Sequence, residues 1–286
     1  QAVVGQATEE AINLLGGIAN FIKSGDKVLI KPNMLEGVPS EKAVTTHPEV
    51  VRAIIRQVKA AGGMPCVGDS PALGSVGRVA EKTGIAAVCL QEKVPLVSFD
   101  TAVSVPCPHG RLLKRFELAQ VVQQADKVIS VAKMKTHSLT GITGGIKNLF
   151  GCLIGPYKAQ MHLRMQRQRD FAAMLADLSL AIQPVLYIID GVIGMEGNGP
   201  RNGNPINTGV IIAGTNGFAV DMVMAKIMGF DAKRLPVTAW AIEHKLVSEP
   251  AALEVVGSAA TVVVPYKATK NLAALDAKIP GWLAKA

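Results

Sequence analysis

Aromatic residues are scarce in this chain: they make up 4% of 286 residues, with three Tyr and two Trp. No RNP, zinc-finger or helix-turn-helix signature accompanies its formal net charge of +8, so nucleic acid is not the expected partner. RNA binding by the basic segment described below stays the least favoured reading. Long apolar runs are missing too. A mean hydropathy of +0.30 therefore reflects a buried interior, and no membrane association is expected. The cysteines Cys66, Cys89, Cys107 and Cys152 are widely spaced with no CxxC, which excludes a locally encoded zinc knuckle and any intrinsic Fe–S motif. A reducing, cytoplasmic setting follows as the expectation, with Cys66 a small core thiol and Cys152 the cysteine with the better claim on a site. No GxGxxG follows an early strand and no nucleophile-elbow serine is present. Ordinary dinucleotide dehydrogenase and hydrolase assignments therefore lack support. The chain opens on Gln1 with no charged leader and apolar core in view, as expected where upstream residues have been trimmed.

What remains is rich in Val, Ile, Leu and Ala, with 28 Gly and 16 Pro as punctuation. Such a composition fits parallel strands buried on both faces. The pattern predicts an α/β fold, a mostly parallel or mixed central sheet with helices on both faces. Residues 1–286 are expected to form one domain, or two intimately packed lobes dividing near residue 125. Helices are expected over 8–22, 48–61, 75–84, 117–124, 159–182, 217–228 and 235–247. Strands are expected over 28–33, 65–68, 94–99, 126–132, 184–189 and 208–213, with more within 253–264. Thr46 is expected to cap the helix that Pro48 begins. Residues 101–112 and 191–205 read as connections, and the last twenty residues as peripheral.

Residues 127–169 carry eight Lys or Arg and no Asp or Glu, a surplus equal to the whole net charge. Their centre is K-M-K-T-H-S-L-T-G-I-T-G-G-I-K-N-L-F-G, beginning where a strand is expected to end. In open α/β sheets, ligands collect at the carboxyl ends of strands. Lys133, Lys135 and His137 alternate and would share one face of an extended segment. Gly144 and Gly145 would let backbone approach a ligand before a short helix whose free N–H groups favour an anion. Lys147 and Asn148 follow, and Lys31 with Asn33 arrives from the first strand. The glycine spacing is not that of a Walker A loop. The competing reading, in which the glycines only turn the chain and the lysines face water, is the weaker one. His162 sits among cations that favour its neutral form, so it or His137 could move a proton. Arg164, Arg167 and Arg169 read better as a wet helix face.

Asp69 and Asp190 each fall at an expected strand end, and Glu196 lies in the glycine-rich segment that follows. Taken in pairs they could hold a divalent metal or orient a lysine. A salt bridge or Asx turn is the simpler reading of each. Asp221 reads as a complement to its own helix N-terminus, and His47 as part of a helix cap.

V-L-I-K-P-N, T-T-H-P-E-V-V, G-D-S-P, K-M-K-T-H, G-G-I-K-N-L-F-G, the downstream His162, I-I-D-G-V-I-G-M-E-G-N-G-P and A-G-T-N-G-F-A-V-D span roughly residues 27–230. As a set, this resembles the conserved prokaryotic family known as domain of unknown function number three hundred and sixty-two. The resemblance implies an α/β protein often beside or fused to a ferredoxin-like Fe–S module, hence redox chemistry with a ferredoxin-like electron-transfer partner. Asn216 stands where an Asp is usual in that family, so no acidic role is expected there.

These readings converge on an enzyme for a small phosphorylated or carboxylated ligand, with a redox role implied by the resemblance. The cofactor is expected to be a divalent metal or a phosphorylated organic molecule. Catalytic candidates are His137, His162 and Asp190. Ligand-binding candidates are Lys31, Asn33, Lys133, Lys135, Gly144, Gly145, Lys147 and Asn148. Metal candidates are Asp69, Asp190 and Glu196. The non-catalytic alternative is an anion-binding or cofactor-binding carrier or regulatory module.

Overall fold

A computed structural model describes residues 2–270. In chain order the elements are α1 (Ala2–Asn13), β1 (Lys27–Pro32), α2 (Pro48–Ala60), β2 (Met64–Asp69), α3 (Val76–Thr83), α4 (Ile85–Gln91), β3 (Leu96–Ser98), β4 (Ala102–Pro106) and β5 (Arg115–Ala119). They continue with α5 (Gln120–Gln124), β6 (Lys127–His137), β7 (Gly141–Thr143), α6 (Gly145–Asn148), α7 (Gly155–Arg164), α8 (Gln168–Ile182), β8 (Leu186–Glu196), β9 (Asn204–Gly214), α9 (Gly217–Ile227) and α10 (Pro236–Glu243).

Seven strands form one sheet in the order β3-β2-β1-β6-β8-β9, with β7 added to β6. Contacts from β3 through β8 along that order are parallel, while β9 and β7 run antiparallel to their partners. This is the expected α/β architecture. Strands from either side of residue 125 join directly, because β1 pairs with β6. Alternation along the strands sorts the core into two layers. Val28, Ile30, Ile129 and Val131 meet α1 to α4 on one face, and Leu29, Val128, Ala132 and Met134 meet α5 to α10 on the other.

Helix boundaries follow local chemistry. His47, rather than Thr46, caps α2: its Nδ1 accepts from the Glu49 N–H at 3.2 Å, and Pro48 takes the first turn. Thr46 instead ties loop to sheet, its hydroxyl donating to Val131 O and accepting from Asn33 N. Asn216 caps α9 by accepting from the Phe218 and Ala219 N–H groups.

Several expectations need correction, among them the helix expected over 8–22, which ends at Asn13, and the one over 117–124, whose first residues belong to β5. The strand expected to stop at residue 132 runs on to His137, so the first part of the cationic motif is itself strand. The segment over 191–205 is largely a hairpin of β8 and β9 rather than a loop. Four of its five glycines sit where side chains would collide: a Cβ on Gly191 would lie 2.8 Å from Val210 Cγ2 and 2.9 Å from Met134 Cε. Residues 101–112 contribute β4, half of a separate two-stranded sheet. The helix expected over 159–182 is two helices broken at residues 165–167, and residues 253–264 hold a 3-10 turn and no strand. Residues 271–286, most of the expected peripheral tail, lie outside the described residues. Among the described residues no helix is long and apolar enough to cross a membrane.

Candidate functional site

The sheet reverses its winding between β1 and β6: from β1 the chain moves to β2 on one side, while β6 and β8 extend the other. A ligand cleft is expected at the carboxyl ends of strands on either side of such a point. A cavity of about 620 Å³ lies there, lined by Lys31 of β1 with Asn33 just after it, Asp69 at the end of β2, Lys135 and His137 of β6, and Lys147 and Asn148 of α6. Lys158 and His162 of α7 form another wall, with Phe150, Thr143, Pro200 and Arg201. Four lysines and one arginine thus face a space whose lining holds one carboxylate.

Lys31 is sequestered by the protein itself. Its Nζ reaches Asp69 Oδ1 at 2.7 Å, Pro32 O at 2.9 Å and Asn148 Oδ1 at 3.0 Å. Asp69 also accepts from the Ser70 and Met34 N–H groups, so its oxygens are committed. Asn148 donates to Lys31 O and Ser130 Oγ, and its Oδ1 accepts from Asn33 Nδ2 at 3.3 Å. This network locks the floor. Gly151 packs directly on it: an added Cβ would overlap Asp69 Oδ1 and lie 2.8 Å from Lys31 Nζ. Gly151→Ala is therefore expected to destabilise the protein by about 1–3 kcal/mol, as overpacking does, which thermal or urea unfolding would register. An unchanged unfolding curve would mean the floor is soft.

The other lysines have no carboxylate in contact. Lys135 donates to Asn33 Oδ1 at 2.9 Å and Val44 O at 2.5 Å. Lys158 donates to Ser70 O at 2.6 Å, Ser70 Oγ at 3.0 Å and Pro71 O at 3.4 Å. Lys147 has no hydrogen-bond or ion-pair partner among the described residues, and its Nζ sits 4.6 Å from the Phe150 ring centroid and 5.6 Å from that of Phe171. Burial lowers the pKa of all three; neighbouring ammonium groups add to this at Lys135 and Lys147, whereas at Lys158 the Asp69 carboxylate partly offsets it. Lys135 falls well below the usual lysine range, Lys158 falls too, and Lys147 drops to about 7.

Both site histidines are held neutral. His137 Nδ1 accepts from the Leu139 and Thr140 N–H groups at 3.1 and 3.3 Å, so the neutral ring carries its proton on Nε2. Burial and then Lys147 and Lys135 push its pKa well below the ordinary value. His162, on the more open rim, stacks on Phe171 at 5.3 Å and meets Phe150 edge-on at 4.7 Å. Burial of its ring against these neighbours, with Lys147 and Lys158 nearby, lowers it to about 4.

Several expected site residues lie elsewhere. Lys133 shares the face of Ile129 and Val131, so it points beneath the start of α2 and pairs with Asp190 at 2.9 Å. Asp190 also accepts from the His47 and Val192 N–H groups at 2.7 and 3.1 Å. Glu196 accepts from the Lys267 N–H at 2.8 Å. Asp69, Asp190 and Glu196 do not converge, and no cluster of three or more His, Cys, Asp or Glu suited to a metal occurs among the described residues. Nor is the start of α6 open at Gly144 and Gly145. Asp221 accepts from the Gly145 N–H at 2.6 Å and the Ile146 N–H at 3.3 Å, and burial raises its pKa to about 7. Cys152 is core, its thiol pushed up to about 12 by burial. Arg164, Arg167 and Arg169 are exposed, the last paired with Glu243.

Sequence reasoning passed over Lys158 and the aromatic pair Phe150 and Phe171. The signal for Lys158 was present, since it lies in the acid-free run. Phe171 comes from α8 and is placed by packing alone. Thr143 Oγ1 is also part of the lining, buried and without a hydrogen-bond partner among the described residues.

The family described as Domain of unknown function (DUF362) matches residues 28–226. A thylakoid-associated protein of Synechocystis sp. is 38% identical over 241 residues, covering 84% of this chain and 74% of the relative. Among solved structures, the lactate racemase apoprotein from Thermoanaerobacterium thermosaccharolyticum aligns with a TM-score of 0.49 at 15% identity, over 74% of this chain. This chain spans about half, 52%, of that racemase.

Proposed function

This chain belongs to the DUF362 family, and we propose that it is an enzyme acting on a small phosphorylated or carboxylated ligand at the mouths of β1, β2 and β6. One observation carries this reading: Lys135, Lys147 and Lys158 face the cavity with no carboxylate in contact, and all are held below their ordinary pKa. An empty pocket of this kind sheds protons. An anion there would be attracted to each ammonium by about 4 kcal/mol at 4 Å and an intermediate dielectric, before its own desolvation is counted.

In this reading Lys135, Lys147 and Lys158 neutralise the ligand, with Lys31 fixing Asp69 and Asn148 beneath it. Asn33, whose amide Nδ2 keeps a second hydrogen free, orients it, and His137 offers its Nε2–H. An enzyme is favoured over a carrier because the cavity holds Lys147 close to neutrality, where a side chain both takes and gives a proton near physiological pH. The free thiols suit the reducing cytoplasm that this proposal includes.

Oxalate and sulfate, whose charges stay constant near neutral pH, are the direct probes. Calorimetric titration of the intact protein at low salt should show saturable binding that weakens as salt rises. Absence of saturable binding by either anion contradicts the reading.

A further inference from the structure

We propose that Lys147 is a nucleophilic amine that forms a Schiff base with the carbonyl carbon of an anionic oxo compound, either an oxo carboxylate or a phosphorylated aldehyde or ketone. This deepens the proposed function and rests on it, since the neighbouring cations are what would hold the anionic end.

The cavity lysines differ in what their nitrogens touch. Lys31, Lys135 and Lys158 each donate to protein oxygens, so their nitrogens are fixed as hydrogen-bond donors. Lys147 is different. Its nitrogen meets no acceptor among the described residues and rests against the rings of Phe150 and Phe171. An ammonium placed only to bind charge would gain from a hydrogen-bond acceptor, whereas a nucleophile needs an unencumbered lone pair. The aromatic contact modestly favours the charged form. The groups facing the cavity with it are Lys31 on β1, Asp69 on β2, Lys135 and His137 on β6, Lys158 and His162 on α7, and Arg201 between β8 and β9, which pairs with Glu36. One carboxylate among these cannot offset three other lysines in a part-buried space, and the balance favours the free amine near neutrality.

The step balances without an oxidant or reductant. The amine lone pair attacks the carbonyl carbon and the C–N bond forms. Both amine hydrogens pass to the carbonyl oxygen, which leaves as water, and the imine takes a proton from solvent to become an iminium. That iminium withdraws electrons from the adjacent carbon, which suits decarboxylation, aldol cleavage or proton exchange there.

Glyoxylate and pyridoxal 5′-phosphate, an anionic aldehyde of each class, are suitable probes. Intact protein would be incubated with either near neutral pH, reduced with borohydride and mapped by peptide mass. Label on Lys147 at least about tenfold above any other lysine, suppressed by excess sulfate and half-maximal near pH 7, is the expected result. The more efficient probe then identifies the carboxylate or phosphate class. Lys147→Arg, checked for an unchanged melting curve, should lose that label while other lysines keep theirs. The wild-type map alone decides the case should the variant misfold. Label spread over exposed lysines with no excess at Lys147, for both probes, overturns the amine role. Oxalate or sulfate binding measured on the same protein separates the two failures: retained binding leaves the anion site standing, and lost binding removes both.

Discussion

Replacing Asp190 with alanine is expected to lower the unfolding free energy by about 3–5 kcal/mol, the cost of leaving one partner of a buried ion pair alone. The Lys133–Asp190 pair is almost fully buried, with side-chain exposures of 1% and 0%. The same carboxylate holds the His47 N–H that starts α2 and the Val192 N–H at the register shift in β8. Alanine would strand an ammonium and two backbone donors at once. Against a typical total stability of about 5–15 kcal/mol this is a large fraction, readable as a lower urea midpoint. Asp190→Asn should lose less, because an amide oxygen still accepts from one of the N–H groups. A change of under about 1 kcal/mol for the alanine variant would show that Lys133 finds water or another partner, and that the pair does not anchor β6 to β8.

Lys147→Met should move binding and stability in opposite directions. Loss of a ligand-facing charge is expected to weaken oxalate or sulfate binding by about 2–5 kcal/mol, some thirtyfold or more. Stability at neutral pH should rise, because an ammonium with no carboxylate in contact is replaced by a side chain that packs on Phe150 and Phe171. The sign follows from linkage. The folded protein holds Lys147 at about 7 while the ordinary value is 10.5, so between those values the unfolded chain binds more protons. Lys147 therefore stabilises least below about pH 7, and its penalty fades as pH rises toward 10.5. The variant's gain in melting temperature should shrink over the same interval. A variant that melts lower and binds normally would remove Lys147 from the site.

Local signals made most of the fold legible. Apolar runs set between Gly, Pro and capping residues marked the β1–α2–β2 unit and the strands beneath the cavity. The errors share a cause: tertiary partners permit residues that sequence rules place outside strands. Lys133 and Lys135 read as the end of β6, yet the strand continues because Asp190, Asn33 and Val44 receive their nitrogens. Gly191 and Gly194 read as loop because the atoms filling their missing side-chain space belong to Met134, Val210 and Tyr266, distant in sequence.

The site was legible as a composition, less so as a geometry. An acid-free run announced surplus charge, and Lys135, His137, Lys147, Lys158 and His162 of that run do line one cavity with Lys31, Asn33 and Asn148. Which cations are neutralised internally depends on acids far along the chain. Asp69 takes Lys31 and Asp190 takes Lys133, and neither pairing has a local signature. Asp221 filling the start of α6 is the same lesson, since it comes from α9.

Proton uptake during anion binding tests the central claim most directly. Oxalate would be titrated into the intact protein near pH 8 in two buffers of different ionisation enthalpy, and the heats compared. With Lys147 at about 7, its amine is largely unprotonated there, and a bound anion should draw a proton in from solvent. The account predicts net proton uptake on oxalate binding that is clearly smaller in Lys147→Met. Saturable binding with identical heats in both buffers, or no binding, would contradict it.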